Sequence, residues 1–193
     1  FSSTLDGTQD LSLTSGAGDI LFTGAVGGGT PLGAITVNQA DDVTFTSTGE
    51  AASFNQASAG TGTFTLGGKL TASTGNITIN SATVTLNAVA EATLGDISIT
   101  QTANTLDLDV ASGLVAGGNN IDLFARDINV TAAFGDSSDV ITLTALNNRT
   151  IGLGGTGSHD VEIKDAFVPA HRSVSAEIFA AAQHLPGEIG RAH

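Results

Sequence analysis

The chain has no cysteine, methionine, tryptophan or tyrosine among its 193 residues, and only six lysines and arginines against nineteen aspartates and glutamates. Each absence excludes something. Without cysteine there is no disulfide and no thiolate chemistry, and the redox compartment has no cystine signature. A formal net charge of −13 repels a phosphate backbone and an anionic membrane surface, which excludes nucleic acid and lipid headgroups as partners. The acidity is read instead as solubility and resistance to lateral sticking. No stretch approaches the roughly 18 apolar residues needed to cross a bilayer, so no membrane insertion is expected. A basic-then-apolar signal peptide is also missing. With no initiator methionine and a start in mid-pattern at Phe1, the chain reads as a fragment or processed piece. Its coil ends are then expected to contact the rest of a longer parent.

What is present is a short phrase that returns. It runs Gly75-Asn76-Ile77-Thr78-Ile79-Asn80, Gly95-Asp96-Ile97-Ser98-Ile99-Thr100, Asn119-Asn120-Ile121-Asp122-Leu123 and Ser138-Asp139-Val140-Ile141-Thr142-Leu143. The lead positions Ile77, Ile97, Ile121 and Ile141 are 20, 24 and 20 residues apart. A period in this range marks a solenoid, whose single coil cannot bury its apolar face without neighbours. A second strand follows each lead strand: Val84-Thr85-Leu86, Leu106-Asp107-Leu108, Ile128-Asn129-Val130 and Ile151-Gly152-Leu153. A third, weaker apolar position recurs at Leu94, Leu114 and Phe134. Each strand alternates an apolar residue with Thr, Ser, Asn or Asp, the period-two pattern of a sheet with one buried face.

The pattern predicts an all-β fold: a parallel β-helix with three strands per coil of about 20 residues, followed by a short C-terminal helix. Ile77, Ile79, Val84, Leu86, Leu94, Ile97, Ile99, Leu106, Leu108, Leu114, Ile121, Leu123, Ile128, Val130, Phe134, Ile141 and Leu143 are expected to point inward. Before residue 70 the register is looser. Gly18-Asp19-Ile20-Leu21-Phe22-Thr23 repeats the lead phrase, with Ile20 three coils of 19 residues before Ile77. Ile35-Thr36-Val37, Val43-Thr44-Phe45, Ala52-Ser53-Phe54 and Phe64-Thr65-Leu66 alternate well but have no unique coil assignment. Gly27-Gly28-Gly29 is read as a loop leaving the stack. The rival architecture is an antiparallel sandwich, which also gives short, evenly spaced strands. Against it stand the repetition of whole phrases and the near absence of Asn-Gly or Asp-Gly hairpin turns, Asp6-Gly7 being the clear example.

Residues 1–155 resemble the β-strand-repeat passenger regions of large bacterial surface proteins, in the filamentous-haemagglutinin-like and autotransporter style. The resemblance rests on Gly18-Asp19-Ile20-Leu21-Phe22-Thr23-Gly24-Ala25-Val26, Thr30-Pro31-Leu32-Gly33-Ala34-Ile35-Thr36-Val37 and Asn148-Arg149-Thr150-Ile151-Gly152-Leu153-Gly154. It implies a secreted or cell-surface stalk, adhesin or biofilm-matrix component with no catalytic residues in the repeats. Host surfaces, matrix and glycans are the partners it implies.

Composition shifts near residue 155, dividing the chain into a repeat domain, 1–155, and a C-terminal element, 156–193. The last asparagine is Asn148, and His159, His171, His184 and His193 all lie beyond that point. Two readings of this element stand. In one, Asp160-Val161-Glu162-Ile163 is the next lead strand, 20 residues after Ile141. A helix over Val174 to His184, capped by Ser173 and stopped by Pro186-Gly187, then covers the end of the stack. In the other, Gly155-Thr156-Gly157-Ser158-His159-Asp160-Val161-Glu162-Ile163-Lys164-Asp165-Ala166-Phe167-Val168-Pro169-Ala170-His171-Arg172 resembles a segment of acyl-CoA-dehydrogenase-type flavin-dependent monooxygenases. That likeness implies a fused piece of a middle β-domain, with no flavin-contacting residue to carry over.

Candidate chemistry is sparse. Asp107, Asp109 and Asp122 form the best carboxylate group for a polysaccharide lyase or hydrolase, which needs two carboxyls about 5–9 Å apart. Arg126 is the nearest cation, and no Tyr or Trp offers a stacking platform; outward acids that keep a sheet solvated are the simpler account. Gly154-Gly155-Thr156-Gly157-Ser158-His159-Asp160 resembles a calcium-binding nonapeptide with its Asp one residue late. Asp41-Asp42 and Asp136-Ser137-Ser138-Asp139 offer further oxygens for Ca²⁺. The histidines are 12, 13 and 9 residues apart, unlike zinc ligands. Ser158-His159-Asp160 are consecutive and cannot converge as a triad. The sequence therefore predicts a non-enzymatic, extracellular or surface-displayed solenoid segment with no catalytic, cofactor or metal residues. A carbohydrate-active β-helix is the alternative, and a fusion to part of a flavin monooxygenase the second.

Overall fold

The computed structural model describes residues 1–57, 61–103, 108–110, 112–132, 135 and 138–145, together with the strand backbones 151–153 and 161–164. The expected helix over 174–184, Leu106, Asp107 and Phe134 lie outside the described residues. Among the described residues the chain is all-β and without helix, with no candidate membrane-spanning helix. Its strands are β1 (Leu11–Thr14), β2 (Ile20–Phe22), β3 (Leu32–Gln39), β4 (Val43–Phe45), β5 (Gly49–Gln56), β6 (Thr63–Leu66), β7 (Leu70–Ala72), β8 (Ile77–Ser81) and β9 (Thr83–Leu86). They continue as β10 (Ala90–Ala92), β11 (Ile97–Gln101), β12 (Leu108–Val110), β13 (Leu114–Val115), β14 (Asn120–Ala125), β15 (Ile128–Val130), β16 (Val140–Ala145), β17 (Ile151–Leu153) and β18 (Val161–Lys164).

Every pairing between these strands is parallel, and they stack as a solenoid with coils about 20 residues apart. The lead side is one column of partners: Leu11, Ile35, Phe54, Ile77, Ile97, Ile121, Ile141 and Val161. Thus β18 continues the lead side past residue 155, as the next-strand reading expected. The second side is a separate seven-stranded sheet, β2-β4-β6-β9-β12-β15-β17. The third side runs from Leu5 and Val26 as bridges through Gly49, Leu70 and Ala90 to Leu114. β5 belongs to two sides: Gly49–Ala51 pairs with β7, and Phe54-Asn55 pairs with β8.

β-branched Ile and Val hold these strands because their stiff side chains pack well on a pleated surface. Ile77, Ile79, Val84, Leu86, Ile97, Ile99, Leu108, Leu114, Ile121, Leu123, Ile128, Val130, Ile141 and Leu143 are all buried, as alternation predicts. In the first coils phenylalanine fills the interior. Phe22 stacks on Phe45 with ring centroids 4.5 Å apart, and Phe54 meets Phe45 edge-on at 5.7 Å. Phe has no polar tip to satisfy, so it suits a dry column better than Tyr or Trp.

Several expectations are corrected. Leu94 is 66% exposed. It sits in the bend between β10 and β11, and the third side's column is Leu70, Ala90, Leu114 instead. In the fifth coil the second-side register is held by Leu108-Asp109-Val110, because Leu108 pairs with Ile128 and Val110 with Leu86, so Leu108 opens the described strand where the sequence pattern places it last. Leu106 to Val110 alternates throughout, and a two-residue slip preserves which residues face inward, so alternation alone cannot fix that register. Ile20 is not a lead residue: it pairs with Val43 on the second side, in the column of Phe64 and Val84. Gly27 does not leave the stack. Its N–H donates to the Leu5 carbonyl at 2.7 Å, its φ is +72°, and a Cβ there would strike the Glu50 carbonyl.

Two predictions follow from this packing. Ile97→Asp places a carboxylate in a fully buried column and should destabilise by about 3 kcal/mol or more. Asp109→Asn and Leu94→Ser, both on exposed positions, should each stay within about 0.5 kcal/mol; urea titrations of the three variants check the assigned facing. Gln56 is 1% exposed and neither of its amide atoms has a hydrogen-bond partner. It pairs with Val37 in an otherwise apolar column. Gln56→Leu should therefore raise stability by about 1 kcal/mol, read as a higher urea midpoint at unchanged slope.

Candidate functional site

Asp6, Asp10, Asp19, Asp41, Asp42 and Asp96 occupy corners outside the strands, and their use is local. A strand that must begin again on every coil leaves a backbone N–H at each bend, and an Asp or Asn side chain one coil away can accept from it. The Asn76 side chain accepts from the Asp96 N–H at 2.9 Å, and Asp96 accepts from the Asn120 N–H at 2.9 Å. Asp6 accepts from Gly29, Asp10 from Ala34, and Asp42 from Thr63, at 2.8, 2.7 and 2.7 Å. The residue before the lead Ile is such an inter-coil bracket at Asn76 and Asp96, whereas Val140 fills that place before Ile141; the sequence displays the repetition without revealing the partner.

Asp139 performs the same task in reverse. It is 3% exposed, and its carboxylate accepts from the Ala116 N–H at 3.0 Å and the Gly118 N–H at 2.6 Å. These bonds fix the turn at Gly117 and Gly118, whose φ values of +56° and +89° favour glycine. Of the loop acids that offer oxygens for Ca²⁺, Asp139 is thereby committed to backbone, and Asp136 lies outside the described residues.

Asp41 and Asp42 join Asp19 in a cluster whose ligand oxygens lie within 4.8 Å of one another. Oxygens at this spacing have the chemistry for a hard cation. Here they are bonded within the protein. Asp19 accepts from the Asp42 N–H at 3.3 Å, Asp41 from the Thr61 hydroxyl at 2.7 Å, and Asp42 from Thr63. The arrangement serves to tie three successive coils together at one corner.

The carboxylates considered for sugar cleavage do not come together. Asp109 is on β12 in the second side's sheet, where it accepts from the Asn129 amide at 3.0 Å. Asp122 is on β14 in the other sheet, paired across the ladder with Ser98 and Thr142. Outer faces of different sides of a solenoid diverge, so these two cannot flank one glycosidic bond. Arg126 lies at the corner between β14 and β15 and contacts Asp127 at 3.1 Å. Asp107, the histidines and the Gly154–Asp160 phrase lie outside the described residues. One open cleft lies at the Phe1 end of the stack, lined by Phe1, Leu13, Thr14, Ser15, Asp19, Ile20 and Leu21. Its one carboxylate, Asp19, accepts from the Asp42 N–H, and the Phe1 ammonium at its rim donates to the Leu21 carbonyl at 2.7 Å.

Comparison of the chain with protein-family models, curated proteins and solved structures returns no match.

Asp139→Ala would leave two backbone N–H groups without acceptors beside the turn. It should cost about 2 kcal/mol or more, and hydrogen exchange at Ala116 and Gly118 should speed up ahead of the lead-side amides. Uniform exchange across the coil would show that the carboxylate does not hold the turn.

Proposed function

We propose that the chain is a non-catalytic segment of an exported, surface-displayed β-solenoid protein, serving as stalk, adhesin or matrix component. The observation that carries this reading is the division of labour among its side chains. Apolar residues are committed to internal columns, corner acids to inter-coil hydrogen bonds, and the outer strand faces present threonine, serine, asparagine and aspartate. A body built this way offers length, stiffness and a hydrated surface. The filamentous-haemagglutinin-like and autotransporter resemblance of residues 1–155 agrees with it, as does the strong net negative charge.

Flavin-dependent or glycan-cleaving activity is not part of this reading. The Asp109 and Asp122 carboxylates stand on separate sheets, and a lone β-domain segment would not enclose a flavin. Equilibrium dialysis of the purified chain against FMN and FAD should therefore show no stoichiometric binding, and polysaccharide mixtures should release no new reducing ends. In the cells that make the protein, antibody raised against the folded chain should stain intact cells, and protease added outside should remove the signal. Staining that appears only after lysis would overturn the export reading; glycan cleavage lost in an Asp109→Asn variant would overturn the non-catalytic one.

A further inference from the structure

The second side of coils two to four carries a feature that neither packing nor the corner acids account for. Thr44 pairs with Thr65 and Thr65 with Thr85, while Thr63 pairs with Thr83 alongside. The strands β4, β6 and β9 match residue for residue without a bulge. These five side chains are half-buried, and no hydrogen bond within the protein engages their hydroxyls. Thr46 and Thr61, just outside the net, have hydroxyls turned to the Phe22 carbonyl and the Asp41 carboxylate. Directly beneath the net lie Phe45, Phe64, Leu66, Val84 and Leu86, all buried, so the platform is stiff. None of the three strands carries a lysine, an arginine or an outward aromatic ring.

Such a net has a fixed metric. Parallel strands lie about 4.8 Å apart, and side chains two residues apart on one strand are about 6.6 Å apart. Water hydrogen-bonds at an O···O distance of about 2.75 Å; tetrahedral geometry then puts second neighbours about 4.5 Å apart and repeats stacked layers every eight-thirds of a bond, about 7.3 Å. Both spacings agree to roughly a tenth. Each threonine adds a hydroxyl that can replace a lattice water and a methyl group that fits beside it. We propose that Thr44, Thr63, Thr65, Thr83 and Thr85 form a binding face for crystalline water, that is, for the surface of ice. Sugar rings fit this face poorly because it has no aromatic platform and no charged hydrogen-bonding group between its threonines. The proposal goes beyond the stalk-or-adhesin reading and does not depend on export.

The test uses the full chain, fluorescently labelled at its amino groups, with its β-sheet circular dichroism and melting recorded first. The protein is placed around a slowly growing polycrystalline ice hemisphere, beside labelled serum albumin as a protein that ice excludes. The folded chain should be enriched in the ice several-fold over albumin and should slow recrystallisation of fine-grained ice. Thr65→Tyr and Thr85→Tyr, which raise a ring above the net, should lose the enrichment. Thr36→Tyr, on the lead side, should keep it. If a tyrosine variant melts early, Thr65→Ser takes its place, retaining the hydroxyl, removing the methyl and lowering the enrichment. Exclusion of the folded wild-type chain from ice would overturn the proposal. So would enrichment that survives the Thr65 and Thr85 substitutions, or that Thr36→Tyr abolishes equally.

Discussion

The structure depends on one constraint: a coil cannot satisfy its own backbone. In each strand the N–H and C=O groups point along the stack axis, and only the coils above and below can pair with them. The Phe54 N–H donates to the Asn76 carbonyl and the Ile77 N–H to the Asp96 carbonyl, both at 3.0 Å. This requirement explains why like residues stand over like. Once the ladders fix the register, Ile77, Ile97, Ile121 and Ile141 must share one column, and the column must be dry throughout. It also explains the corner acids, because every bend interrupts the ladder and leaves a donor for a neighbouring side chain.

How much of this was legible in the sequence follows from what period two can encode. Inward and outward facing was legible wherever a strand was straight, and the lead column was legible because its phrase recurs whole. Even-numbered slips and corners were not. The fifth coil spends eleven residues from Ile97 to Leu108, where the fourth spends seven from Ile77 to Val84. The alternating run through Leu106, Leu108 and Val110 disguised that insertion. Leu94 was read as core because its spacing to Leu114 equals one period, yet the bend turns it to solvent. Ile20 looked like a lead residue because the phrase Gly-Asp-Ile also opens a strand on the second side.

The candidate sites divide the same way. Sequence could group Asp107, Asp109 and Asp122 by proximity along the chain, but not see that a side of the solenoid intervenes between Asp109 and Asp122. Thr65 and Thr85 are plain as outward residues from the alternation of Phe64-Thr65-Leu66 and Val84-Thr85-Leu86. Their arrangement as a two-dimensional net depends on the pairing of Thr63 with Thr83 and Thr65 with Thr85, which only the coil register supplies.

The ladders between coils carry a mechanical consequence. A pull on the chain's end loads the terminal coil's hydrogen bonds first, so failure proceeds one layer at a time and not throughout the body. A coil of about 20 residues contributes roughly 4.8 Å of height while stacked, but on the order of 65 Å once peeled off and drawn straight. Under sudden load each released coil would therefore extend more than tenfold, dissipating work at each step. The coils still in register would template the return of the released one when the load falls.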